Sequence, residues 1–107
     1  MNIQEAMKTD EQIIDYVVAR VLLWMLPRQI NGLVFTTRKE ISETFERRGE
    51  WLDILFWTLR RSGMVIVRKQ KRGVILNNVS GMTEAEIYAA CRAEEQRVTI
   101  LNALMVS

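Results

Sequence analysis

The segment MVIVRKQKRGVILN, residues 64–77, carries the clearest structural pattern in the chain. β-branched residues dominate its two ends, and a polar run with one glycine, residues 69–73, separates them. Apolar runs with a period of two, joined by a short polar loop that contains glycine, are typical of a β-hairpin. We therefore predict strands over residues 64–68 and 74–77, joined by a basic loop.

Three helix starts can be read on either side of this hairpin. Thr9, Thr37 and Thr83 each precede Glu or Gln by three residues, which is the capping-box pattern of a helix N-terminus. An apolar stripe with helical spacing follows the first of them as far as residue 25. The second helix should be short and end near Gly49, because glycine enters a left-handed turn without strain. The last helix should continue towards residue 106.

A further helix is predicted over residues 50–62, between the short helix and the hairpin. Gly63 follows it as a natural C-terminal residue. Its core-facing stripe has helical spacing and consists of Leu52, Leu55, Phe56 and Leu59.

The predicted elements follow one another as long helix, extended run over residues 33–35, short helix, helix, basic hairpin and terminal helix. This order makes one α+β domain, mainly helical, over residues 1–107. Residues 1–8 are expected to be a flexible N-terminus.

Residues 35–77 combine a capped short helix, a second helix that ends in LRRSG, and the basic hairpin. The matching residues are Thr37, Arg38, Lys39, Glu40, Ile41, Leu55 and the runs 59–63, 65–67 and 73–76. In these features the chain resembles the winged helix-turn-helix superfamily, in particular the small bacterial, phage and plasmid regulators. The resemblance implies a transcriptional regulator that binds double-stranded DNA, with a two-stranded basic wing and an extra C-terminal helix.

The resemblance also implies which residues contact DNA at the wing. A wing tip lies along or inside the minor groove, where cations meet an enhanced negative potential. Here that role would fall to Arg68, Lys69, Lys71 and Arg72. No acidic residue occurs between residues 54 and 82, so this positive field should attract polyanions. The alternative is a solvated hairpin whose cations only keep its edge soluble.

Two further pairs of cations are candidate DNA contacts. Arg38 and Lys39 lie at the start of the short helix, where free N–H groups and the helix dipole suit a phosphate. Two solvated side chains are the equally simple interpretation of that pair. Arg60 and Arg61 end the helix that the resemblance places near the major groove.

The outer surface of that same helix is unusually apolar for a helix that reads bases. Trp51, Ile54 and Trp57 lie outside its core stripe, and its first turn carries the carboxylates Glu50 and Asp53. An apolar surface patch often marks a protein contact. The alternative function is therefore a winged-helix adaptor that binds another protein here, unless another helix or subunit covers these side chains.

The terminal helix is a candidate dimerisation element over residues 83–106. Ile87, Cys91, Val98, Leu101 and Met105 fall at heptad-like spacing within it. Small winged-helix proteins commonly dimerise through elements added outside the motif, so the resemblance implies a homodimer.

The composition argues against an enzyme. The chain has no histidine and one cysteine, which removes the commonest general base and any zinc site built from several cysteines. We therefore expect no metal and no cofactor. The most apolar stretch, residues 13–26, is interrupted by Asp15 and Arg20 and is too short to span a bilayer. With no evident secretory signal, a cytoplasmic protein without a membrane partner is expected.

Overall fold

A computed structural model describes residues 10–106 of the chain. Within this range it has four helices and one three-stranded antiparallel sheet, which confirms the α+β, mainly helical class. Thr9 and residues 1–8, predicted to cap the first helix and to be flexible, lie outside the described residues. The elements in chain order are α1 (Asp10–Met25), β1 (Leu33–Thr36), α2 (Arg38–Phe45), α3 (Glu50–Ser62), β2 (Val65–Gln70), β3 (Gly73–Asn78) and α4 (Glu84–Val106).

The sheet has the strand order β1-β3-β2, so the hairpin strand β3 is central. The sequence predicts a two-stranded hairpin, and in the structure the extended run before α2 pairs with it as a third strand. Because side chains alternate between the faces of a strand, each register row belongs to one face. The row of Val34, Leu76 and Val67 is buried and faces the helices. The row of Phe35, Ile75 and Arg68 therefore lies on the outer face.

The core lies between the inner face of the sheet and helices α1, α3 and α4. All four residues of the predicted core stripe of α3 are buried, so its orientation was predicted correctly. The first half of α4 packs against α1 and brings Ile87 into the same core. Phe45 of α2 extends the packing through an edge-to-face contact with Trp24, whose ring centroid is 5.7 Å away.

Two boundaries differ from the sequence-based expectation. Helix α2 ends at Phe45 rather than near Gly49, because Glu46 takes the left-handed conformation at φ 53° and donates its N–H to the carbonyl of Ser42. Gly49 instead caps the start of α3, at a positive φ of 56°. The hairpin loop is also shorter than predicted, since only Lys71 and Arg72 lie between the two strands.

Both capping boxes in the described range contribute to helix starts. The N–H of Glu40 donates to Thr37 Oγ1 at 3.0 Å. At α4 the exchange is reciprocal: Glu86 N–H donates to Thr83 Oγ1 and Thr83 N–H donates to Glu86 Oε1, each at 3.1 Å. Hydrogen bonds to the Glu86 carboxylate from the Thr83 backbone N–H, first, and from the Thr83 side chain, second, hold the pKa of Glu86 below its usual range.

Candidate nucleic-acid interface

The turn of the hairpin presents cations that no acid neutralises. Lys71 and Arg72 form the two-residue turn, and Arg68 and Lys69 precede it at the end of β2; all four side chains are exposed. In the part of the chain that the structure describes, none of these four cations forms an ion pair. The local field is therefore positive and open to solvent, as a phosphate contact requires.

Strand alternation divides these cations between the two faces of the sheet. Arg68 pairs with Ile75 on the outer face, whereas Lys69 pairs with Val74 on the inner face. The Nζ atom of Lys69 lies 5.8 Å from the centroid of the Phe56 ring, on α3. Lys69 therefore lies on the face of the sheet towards α3, Arg68 lies on the opposite face, and Lys71 and Arg72 lie in the turn.

The start of α2 meets the hairpin at the same aromatic ring. Arg38 Cζ lies 5.5 Å from the centroid of Phe56, so Arg38 and Lys69 are both close to one buried side chain. Arg38 also donates a hydrogen bond from Nη2 to Asp53 Oδ1 at 3.1 Å. The predicted phosphate ligand Arg38 is therefore already engaged by a carboxylate, while Lys39 is exposed and has no ion pair within residues 10–106.

This pair is weak enough for a phosphate to compete with it. The side chains of Arg38 and Asp53 remain 46% and 60% exposed. Ion pairs at such exposure contribute about 0–1 kcal/mol, because water and salt screen them. Arg60 lies on the side of α3 that carries Asp53, since residues 53, 56 and 60 share one helical face. We call Arg38, Arg60, Arg68, Lys69, Lys71 and Arg72 the basic group.

The other exposed side of α3 is apolar, as the sequence predicted. Trp51, Ile54 and Trp57 are 63%, 49% and 54% exposed, and we call them the tryptophan strip. Within the described residues no other helix covers them. Arg61 belongs to this side rather than to the basic group, because its Cζ lies 5.1 Å from the Trp57 ring centroid. Thr58 is buried on this helix and donates its hydroxyl hydrogen to the carbonyl of Ile54.

The predicted dimerisation stripe of α4 is only partly available. Ile87 and Cys91 are buried, Ile87 within the core, so neither offers exposed surface to a partner. Burial, with the charge of Glu95, raises the pKa of the Cys91 thiol above its usual value. Val98 and Met105 are exposed and Leu101 is half-buried, so an apolar surface remains in the second half of α4.

The outer face of the sheet carries exposed apolar side chains that were not predicted from the sequence. Phe35 is 72% exposed there, and Ile66 is also exposed on the same face. The signal was present: Val65 and Val67 face the core, so alternation places Ile66 outside. The exposed position of Phe35 depends on the pairing of β1 with β3, which the sequence did not predict.

Residues 10–106 contain neither a metal-ligand cluster nor a membrane-spanning helix. Among the described side chains, no three His, Cys, Asp or Glu residues come together as ligands for a metal ion. None of the helices in residues 10–106 combines the length and the hydropathy that crossing a bilayer requires. Comparisons with protein-family models, with curated proteins and with solved structures gave no match for this chain.

Proposed function

We propose that the chain is a winged helix-turn-helix regulator that binds double-stranded DNA through its basic hairpin and the start of α2. The observation that carries the proposal is the hairpin turn, where Lys71 and Arg72 are exposed and unpaired beside Arg68. Exposed cations without neighbouring acids release counterions from DNA when they meet phosphates, which is the main source of sequence-independent affinity.

The order of the elements supports the same proposal. A short capped helix, a turn, a second helix and a basic hairpin next to the second helix are the parts of a wing beside a recognition helix. The hairpin would lie along one groove, and Arg60 together with the start of α2 would contact phosphates beside α3. The exposed second half of α4 would join two copies into a homodimer.

The proposal is tested by the salt dependence of DNA binding. Fluorescence anisotropy with a labelled generic duplex gives the affinity of the wild type and of a Lys71→Ala, Arg72→Ala variant at several salt concentrations. Each lost phosphate contact lowers the slope of log affinity against log salt by about 0.9, so the variant should lose about two. A matched variant, Arg20→Ala with Arg92→Ala, removes the same charge from α1 and α4 and should keep the wild-type slope. Equal slopes in all three proteins contradict the proposal.

The tryptophan strip favours a second candidate function, a winged-helix adaptor that binds another protein. Its three members lie on one side of α3, and tryptophan and arginine are the residues most often found at interface hot spots. Salt separates the two functions, because an interface with an apolar core responds far less to salt than phosphate contacts do. A wild type with no measurable affinity for duplex DNA at low salt would favour the adaptor.

A further inference from the structure

A cleft of about 430 Å³ opens between the end of β1 and the turn of the hairpin. Its lining includes Phe35, Gln70, Lys71, Arg72, Gly73 and Ile75. An exposed aromatic ring from one strand thus shares a concave surface with two unpaired cations and a side-chain amide.

Gly73 holds the two sides of the cleft close together. A Cβ atom at this position would lie 2.7 Å from the backbone carbonyl oxygen of Thr36, which is closer than Cβ atoms approach other atoms in proteins. The absence of a side chain therefore lets the start of β3 approach the end of β1. As a result, the Lys71–Arg72 turn and Phe35 are held at one site.

The side chains of this cleft match the chemistry of a nucleotide. Proteins bind unpaired bases by stacking them on aromatic side chains that stand on a sheet surface, and they hold the adjoining phosphates with cations. Phe35 is 72% exposed as a residue, and Ile75 lies beside it in the register. Lys71 and Arg72 carry charge for a phosphate, and Gln70 carries an amide for a base edge.

We propose that this cleft binds one unpaired nucleotide, with its base stacked on Phe35 and its phosphate held by Lys71 and Arg72. The amide of Gln70 then hydrogen-bonds the edge of the base. This inference rests on the proposed nucleic-acid function and extends it, because duplex DNA offers phosphates but no free base face. The same chemistry is present in a free nucleoside monophosphate and in a single strand, so the test uses both. An apolar anchor of a partner protein would use Phe35 but would gain nothing from two unpaired cations beside it.

The test compares ligands that differ in one component. Adenosine 5′-monophosphate, adenosine, inorganic phosphate, a labelled single-stranded oligonucleotide and a labelled duplex are titrated against the wild type. The monophosphate should bind more tightly than inorganic phosphate or adenosine alone, because the cleft contacts both base and phosphate. If inorganic phosphate binds as tightly as the nucleotide, stacking on Phe35 makes no contribution and the proposal fails.

Three substitutions of Phe35 test whether its ring contributes to binding. Phe35→Ala and Phe35→Leu should each weaken single-strand and monophosphate binding by about fivefold or more, the effect of losing one stacked base. Phe35→Trp should retain wild-type affinity because it keeps a ring, and Ile66→Ala is the matched control elsewhere on the same face. Circular dichroism checks folding, and Phe35→Leu keeps the apolar volume should the alanine variant unfold. Unchanged single-strand affinity in Phe35→Leu overturns the proposal.

The duplex titration separates this inference from the function on which it rests. Loss of salt slope in Lys71→Ala, Arg72→Ala with no effect of Phe35→Leu leaves the duplex function standing and refutes the nucleotide cleft. Monophosphate binding that depends on Phe35, in a protein that does not bind duplex DNA, supports the cleft and refutes the duplex function.

Discussion

Replacing Asp53 by asparagine should strengthen DNA binding, because it releases an arginine that the proposed interface needs. Asp53 accepts a hydrogen bond from Arg38 at 3.1 Å and places a negative charge beside the basic group. Asparagine keeps the size and the acceptor oxygen of the side chain but removes the charge. The guanidinium of Arg38 can then pair with a phosphate without separating from a carboxylate.

The expected gain follows from the exposure of the pair. Because both side chains are about half exposed, breaking the ion pair should lower the free energy of unfolding by at most about 1 kcal/mol. One added phosphate contact steepens the slope of log affinity against log salt by about 0.9. The contribution of such a contact vanishes near 1 M salt, so at a tenth of that concentration the affinity should rise about eightfold.

The assay is the anisotropy titration with a generic duplex at three or more salt concentrations. Glu50→Gln is the matched control: it removes the same charge from the same helix turn, where no described cation pairs with it. This control should leave the slope unchanged. Adding Arg38→Ala to the Asp53→Asn variant should cancel the gain in slope. If Asp53→Asn and Glu50→Gln keep the wild-type slope, and Arg38→Ala alone does not lower it, Arg38 does not contact phosphate and the proposed position of DNA beside α2 is wrong.

Three further predictions concern stability and assembly. Trp57→Ala should lower the free energy of unfolding by about 1 kcal/mol in chemical denaturation, since half of the side chain is exposed; a loss of about 3–5 kcal/mol would mean that another helix of the assembly covers it. Val98→Asp with Leu101→Asp should give a soluble monomer in sedimentation, because the apolar second half of α4 would no longer pair; a wild type that is already monomeric at micromolar concentration contradicts the homodimer. Glu86→Gln should destabilise the fold at neutral pH, and less so in acid, because it removes the carboxylate that accepts from the Thr83 N–H. The lowered pKa of Glu86 means that its stabilisation is present above the usual carboxylate range and is lost as the pH falls through that lowered pKa; a gap between variant and wild type that stays constant with pH contradicts this.

The helices and the hairpin could be predicted because their signals are local. Helical spacing of apolar residues, capping boxes and a basic turn between β-branched runs each lie within a few residues of the element that they specify. The end of α2 could not be predicted in the same way. Gly49 is the better left-handed residue by propensity, but Glu46 takes that conformation and Gly49 serves the next helix.

The site could be predicted only as far as charge and composition reveal it. The unpaired cations of the hairpin follow from a segment without acids, and the exposed tryptophan strip follows from helical spacing. The approach of Arg38 and Lys69 to the ring of Phe56 depends on packing between three separate elements. The cleft beside Phe35 depends on the pairing of β1 with β3, whose residues are about forty positions apart in sequence.

The two sides of α3 carry different consequences for how DNA would be recognised. Successive helical residues point about 100° apart. Phe56, close to Arg38 and Lys69 of the basic group, and Trp57 of the tryptophan strip therefore mark adjoining sides of one helix. Reading bases in the major groove requires donors and acceptors on the side that enters it. The outermost side of α3 offers one carboxylate at Glu50, two large apolar groups and Arg61, whose guanidinium lies over Trp57. DNA held by the basic group would therefore be contacted mainly through its phosphates, with affinity that depends strongly on salt and weakly on sequence. Specificity would have to come from the shape of the groove at the hairpin, or from the single base that the Phe35 cleft can hold.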